Sequence, residues 1–272
     1  MRLPWQRPSF VISRPLETPW TEEYASLHTP AISAALNDPR LIAKFKRGRR
    51  LPRGYGRGLD ERLVEYPWLL SRRPAGRALD AGSALNHDHI LDSFLPRFTS
   101  LRIVTLAPEP VSYAERGINY DYADLRDLPY PDGSFDTIVC ISTLEHVGMD
   151  NSVYGDSSPR AADPESEVER ALAELRRVLA PSGRLLWTVP FGRAEDHGWF
   201  GQFDGPRLER TIQQSAPANV DVCIFRYSAG GWQRSSTEEA ADASYRDFVH
   251  DPTPVADRAA AARAVACIAV GW

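Results

Sequence analysis

Two histidines fall in stretches that read as loops at the ends of buried strands. His146 follows ThrIleValCysIleSer (137–142), and His197 sits in ArgAlaGluAspHisGlyTrpPheGlyGlnPheAsp (193–204). Imidazole exchanges a proton near neutral pH, so each is a candidate base for an acceptor group. Gly82 follows one strand and precedes a helix, where a glycine lets the backbone approach a ligand closely. The helix start near Asn86 offers backbone N–H groups and a positive dipole end to an anionic group. Trp199, Phe200, Phe203 and Trp232 are aromatics in loop-like stretches. Such faces stack on sugars and planar rings alike, although core packing is the commoner fate of any one of them. Lys44 to Arg57 holds seven basic residues and no acid. That run could meet an anionic acceptor, or be a solvated face.

These residues need a framework, and the alternation of apolar runs supplies one. ArgAlaLeuAspAlaGly (77–82), LeuArgIleValThrLeu (101–106), a weaker AsnTyrAspTyrAlaAsp (119–124), 137–142 and ArgLeuLeuTrpThrValPro (184–190) read as strands, and 220–227 and 263–270 as two more. The near-continuous apolar run at 137–142 marks a strand covered on both faces. A helix over 86–95 buries Ile90, Leu91, Phe94 and Leu95. A second opens with Asp163 as cap and Pro164 in its first turn, has Val168, Leu172, Leu175 and Leu179 as its buried stripe, and stops at ProSerGly (181–183). Residues 60–72 have helical spacing with Pro67 as a kink or break. Residues 1–58, interrupted by Pro4, Pro8, Pro15, Pro19 and Pro30, read as an irregular arm or lid with short helices at most over 21–27 and 39–45. Strands alternating with helices mean an α/β fold with a mostly parallel sheet, whose ligands bind beyond the carboxyl ends of the strands. The expected division is an arm over 1–58 and one domain over 59–272.

The 272 residues are 43% hydrophobic and 25% charged, which excludes a wholly disordered chain. No apolar run approaches the roughly 20 residues of a membrane helix, and no secretory leader is expected in the first 25 residues. Cys140, Cys223 and Cys267 are widely spaced and form no Cys-x-x-Cys pair. Reduced buried thiols and a cytoplasmic location are expected. The net charge of −4 gives no general argument for nucleic-acid binding.

The run from Arg77 to Pro190 resembles a class I S-adenosylmethionine-dependent methyltransferase. LeuAspAlaGlySer (79–83) resembles the first motif of that family, 124–147 its central block, and 174–190 the helix and strand that follow. The resemblance is strongest to bacterial methyltransferases associated with surface-polysaccharide synthesis, through 80–87 and 140–151. It implies a Rossmann-like, seven-stranded sheet with an antiparallel last hairpin, and S-adenosyl-L-methionine across the ends of the first four strands. The implied cofactor residues are Asp80, Ala81, Gly82, Ser83, Thr105, Leu106, Asp124, Leu125, Ser142 and Thr143. Of these, Asp124 would accept from the adenine amino group, Leu106 and Leu125 would sandwich the ring, and Ser142 and Thr143 would line the floor. Two features depart from the pattern: Ala84 and Asn86 replace further glycines, and Thr105 stands where an acid usually grips the ribose. Glu109 is the candidate substitute.

Glu-x-x-Glu-His with a later His is a metal site in some members of this family. Here Glu145, His146 and His197 remain, with Ser142 in place of the first glutamate, so a divalent cation such as Mg is the ion the cluster would hold. The expected activity is O-methylation of a sugar or glycan hydroxyl with His146 or His197 as base. The alternatives are a methyltransferase for another small metabolite, or an inactive methyltransferase-like binding module. The expected partner is a small-molecule or glycan acceptor, nucleic acid is disfavoured, and a homodimer is left open.

Overall fold

The computed structural model describes residues 8–16, 18–155, 159–248 and 250–272. Pro4, part of the expected arm, lies outside the described residues. The helices are α1 (Glu22–Leu36), α2 (Pro39–Lys46), α3 (Arg62–Ser71), α4 (Asp88–Phe94), α5 (Pro164–Val178), α6 (Gly205–Ser215) and α7 (Thr237–Ala240). The strands are β1 (Gly76–Ala81), β2 (Phe98–Thr105), β3 (Asn119–Tyr122), β4 (Phe135–Ile141), β5 (Leu179–Pro190), β6 (Glu195–Asp196), β7 (Gly201–Gln202), β8 (Asn219–Ser228), β9 (Gly231–Ser235) and β10 (Ala264–Gly271).

Among the described residues, eight strands form one sheet in the order β3-β2-β1-β4-β5-β10-β8-β9. β1 to β5 run parallel, and β10 inserts antiparallel between β5 and β8. The fold is therefore the expected α/β Rossmann-like sheet. It has eight strands rather than seven because β9 adds an antiparallel edge on β8. The pleat sorts the side chains of each strand between two buried layers. On β10, Val265, Cys267 and Ala269 pack with α1, α2 and α3, whereas Ala266, Ile268 and Val270 pack with α5. All three cysteines are free and buried. No described helix is long and apolar enough to cross a membrane.

α5 begins as its residues dictate. The Asp163 side chain accepts from Ser166 N–H, Pro164 opens the first turn, and Val168, Leu172 and Leu175 are buried. The helix ends at Val178, however. Leu179 already belongs to β5, which runs on through Pro181–Gly183 with a register shift against β4.

The expectation of an irregular arm needs correction. α1 is 15 residues long and continues through Pro30. Proline removes one N–H and crowds the carbonyl four residues back, but Pro30 is exposed, so the freed Ser26 carbonyl can be solvated. Tyr24, Ile32, Leu41 and Phe45 lie in one buried cluster with α3, α4 and one face of the sheet. Pro67 sits inside α3, and the Leu63 carbonyl it orphans accepts from the Tyr55 hydroxyl instead. That bond explains how a helix with an internal proline stays buried.

Candidate active site

Two adjoining cavities open beyond the carboxyl ends of the strands. The first, about 250 Å³, is lined by Gly82, Ser83, Thr105, Leu106, Glu109, Asp124, Leu125, Ser142, Thr143 and His146, among others. The second, about 220 Å³, lies between the loop after β4, the start of α3 and the loop 245–248. Arg62, Ser142, His146 and Tyr154 line both.

The β1–α4 loop is a tight backbone construction. Gly82 has φ +108° and its N–H donates to the Val104 carbonyl at 2.9 Å. A side chain there would meet Thr143, whose Cβ would lie 2.8 Å from the added carbon. Asp80 and Ala81 do not reach the cavity. Asp80 is buried below the loop and accepts from the N–H groups of Ala84 (3.2 Å) and Leu85 (2.7 Å), while Ala81 packs in the core. Burial pushes the Asp80 carboxyl up to about 7. Its expected contact with the cofactor is therefore replaced by a supporting role under the loop. The N–H groups near Asn86 are also committed, Asn86 to Ser83 and His87 to the Leu85 carbonyl.

Ser83 is buried at φ +65°, and its Oγ has no hydrogen-bond partner among the described residues. Glu109 stands on the wall and accepts from Asn86 Nδ2 at 2.7 Å. Asp124 is on the wall as well, but both of its oxygens accept from Arg126. Despite partial burial, that guanidinium holds the Asp124 carboxyl below its usual range. Leu125 is buried and Leu106 sits half-exposed at the rim.

Ser142 has the left-handed φ of +43°. Its Oγ donates to Glu65 Oε1 at 2.7 Å, and Thr188 Oγ1 donates to the same oxygen at 2.5 Å. Glu65 also pairs with Arg62. The fully buried Glu65 thus ties α3 to the ends of β4 and β5. Sequence reasoning missed it, although a glutamate inside the apolar run LeuValGluTyrProTrpLeuLeu (63–70) is a charge where a buried helix has no reason for one. Removing one partner of a buried ionic network costs about 3 kcal/mol. Glu65→Ala is therefore expected to lower Tm by about 6–12 °C in a calorimetric scan.

His146 lies in a 3-10 turn, Leu144–His146. Its Nδ1 is 2.9 Å from the Trp199 carbonyl, so that nitrogen carries the hydrogen and Nε2 presents a lone pair. Burial, and more weakly Arg62, push the imidazole down to about 4, so it is neutral at physiological pH. His197 is placed elsewhere. It stacks on Phe200 at 4.5 Å, contacts Glu195 and Asp247, and lines neither cavity. Phe200 packs between it and His146, so the structure does not bring together the two histidines named from sequence.

The metal expectation fails on the same geometry. Among the described residues no group of three or more His, Cys, Asp or Glu side chains could hold an ion. Glu145 Oε1 is 3.9 Å from His146 Nε2, and Ser142, in place of the first ligand, bonds to Glu65.

Of the loop aromatics, Phe203 and Trp232 are fully buried in the core, while Trp199 and Phe200 line the second cavity. None of the seven basic residues at 44–57 lines either cavity. The wall of the second cavity instead carries Asp60, Glu61, Glu145 and Asp247, all missed from sequence except Glu145. Burial, with Asp60 and Glu65 nearby, pushes the Glu61 carboxyl up to about 8. The unfolded chain ionises this group near 4.5, so its contribution to stability is full below that value and is lost as pH rises to about 8. Glu61→Gln keeps an acceptor for the Ala262 N–H. Its Tm is expected to rise relative to wild type as a thermal melt is repeated from about pH 5 to about pH 8.

Comparison with known proteins agrees with this geometry over part of the chain. A family model described as a methyltransferase domain, Methyltransf_11, matches residues 81–187. EEF1A lysine methyltransferase 4 of Mus musculus is 32% identical over 121 residues, covering 42% of this chain and 45% of that protein. Norajmaline N-methyltransferase of Rauvolfia serpentina is 33% identical over 92 residues, covering 30% and 31%. The chain therefore spans less than half the length of these curated relatives. A solved S-adenosylmethionine-dependent methyltransferase of Thermotoga maritima aligns with 89% of this chain and 98% of its own, at a TM-score of 0.49 and 13% identity. Residues 81–187 are thus the part of the chain that is similar to a methyltransferase domain.

Proposed function

We propose that the protein transfers a methyl group from S-adenosyl-L-methionine to an acceptor held in the second cavity. The observation that carries this reading is the shared wall: Ser142, His146 and Tyr154 face both cavities, so groups bound on either side meet there. The first cavity suits the donor. It combines the close backbone approach at Gly82, the unpartnered Ser83 Oγ, the carboxylate of Glu109 and the apolar walls of Leu106 and Leu125. The donor supplies a methyl already activated on a sulfonium. The protein's task is to hold an acceptor atom in line with it and keep water out. Trp20, from the N-terminal stretch, also lines the acceptor side.

A hydroxyl acceptor needs a base because its own pKa is high, and the lone pair left on Nε2 of His146 would serve as one. The ring of a sugar, the acceptor expected from the resemblance, would stack on Trp199 and Phe200. An amine acceptor makes a different demand on the wall, a negative charge.

Calorimetric titration with S-adenosylhomocysteine, followed by transfer from labelled donor to panels of alcohols and amines, tests the reading. Binding with transfer is expected. Lack of affinity for S-adenosylhomocysteine would leave the inactive binding module as the function.

A further inference from the structure

We propose that the second cavity is a cation site and that its acceptor is an amine, held as its ammonium by Glu145 among aromatic rings. The inference rests on the methyl-transfer reading and names the acceptor class.

The Glu145 side chain is 1% exposed, lines the cavity, and its Oε2 has no hydrogen-bond partner among the described residues. An unpartnered buried carboxyl oxygen is costly, and a bound donor relieves that cost. The other charged groups of this wall already have partners. Asp60 bonds to His28, Arg62 pairs with Glu65, Arg246 with Asp251, and Asp247 with His250. Glu61 accepts from the Ala262 N–H. Four carboxyls thus face two guanidiniums, both neutralised. A sugar would ask this wall for several free donors as well as acceptors, and among its described buried side-chain atoms only Trp199 Nε1 is an unpartnered donor. An ammonium asks only for acceptors and for π-faces, which Tyr154, Trp199, Phe200 and Tyr245 supply. Burial and the neighbouring carboxyls Glu65 and Glu61 raise the Glu145 carboxyl well above its usual range, and an incoming cation favours its ionised form.

The step balances without a metal or a redox partner. The ammonium donates to Glu145 and gives one proton to His146 Nε2. The freed nitrogen lone pair forms the N–C bond as the C–S bond breaks, and that electron pair stays on sulfur. His146 then returns the proton to solvent. The products are the methylated ammonium, S-adenosylhomocysteine and one proton.

The test is calorimetric titration of the full chain, with and without saturating S-adenosylhomocysteine, by benzylamine, butylamine, benzyl alcohol and methyl α-glucoside. Benzylamine is expected to bind at least ~10-fold more tightly than benzyl alcohol, which has the same ring. Glu145→Gln should abolish that preference while S-adenosylhomocysteine affinity stays within about 3-fold, showing an intact first cavity. Equal or tighter binding of the alcohol or the glucoside overturns the proposal, as does a preference that survives Glu145→Gln. No binding by either amine to a protein that binds S-adenosylhomocysteine also overturns it. A protein that binds amines but not S-adenosylhomocysteine would instead remove the methyl-transfer reading.

Discussion

Gly82→Ala is expected to weaken S-adenosylhomocysteine binding about 100-fold or more, read by calorimetric titration. Two costs combine at this position. The backbone holds φ +108°, outside the regions open to L-residues, at a cost of about 1–3 kcal/mol. The added carbon also overlaps Thr143, itself on the cavity floor, and overpacking costs about 1–3 kcal/mol more. A total near 3 kcal/mol is about a hundredfold in affinity if the loop relieves it by moving into the cavity. Gly117→Ala is the control. Gly117 has φ +81°, but an added carbon there meets nothing within 4 Å. That variant should lose about 1 kcal/mol of stability and bind normally. Equal effects of the two substitutions would mean that Gly82 is only a turn.

The parts of this molecule legible in the sequence are those fixed by local rules. Asp163, Pro164 and the stripe at 168, 172 and 175 announce α5, because cap, first turn and buried face all lie within one helix. β4 announces itself by an apolar run that only a doubly covered strand tolerates. What failed was decided by distant partners. Pro67 reads as a break until the Tyr55 hydroxyl, twelve residues upstream, satisfies the orphaned carbonyl. The N-terminal prolines read as an irregular arm, yet α1 keeps its apolar face buried and turns Pro30 to solvent. The site divides in the same way. Loop positions on the first cavity, Gly82 to Thr143, follow from motif order along the chain. The wall of the second cavity gathers Asp60, Glu61, Tyr154 and Tyr245 from three separate stretches with no common pattern. His197 was misplaced because a loop position after β5 does not say which way a side chain turns. Here it turns behind Phe200.

His146→Asn is expected to lower kcat by about 10²–10⁴ while S-adenosylhomocysteine affinity changes less than about 3-fold. Asparagine can still donate an amide hydrogen to the Trp199 carbonyl, so the loop and the aromatic wall are kept. What it lacks is the lone pair at the position of Nε2. The histidine is buried between Tyr154, Trp199 and Phe200, and that burial holds its imidazole near 4. It therefore stays unprotonated across the neutral range, and the wild-type rate should show no histidine break near 6.5. The acid limb attributable to this group should fall near 4 and vanish in the variant. An unchanged kcat in His146→Asn would assign proton removal to solvent and reduce His146 to a prop for Trp199. A break at 6.5 that disappears in the variant would instead place the imidazole in water.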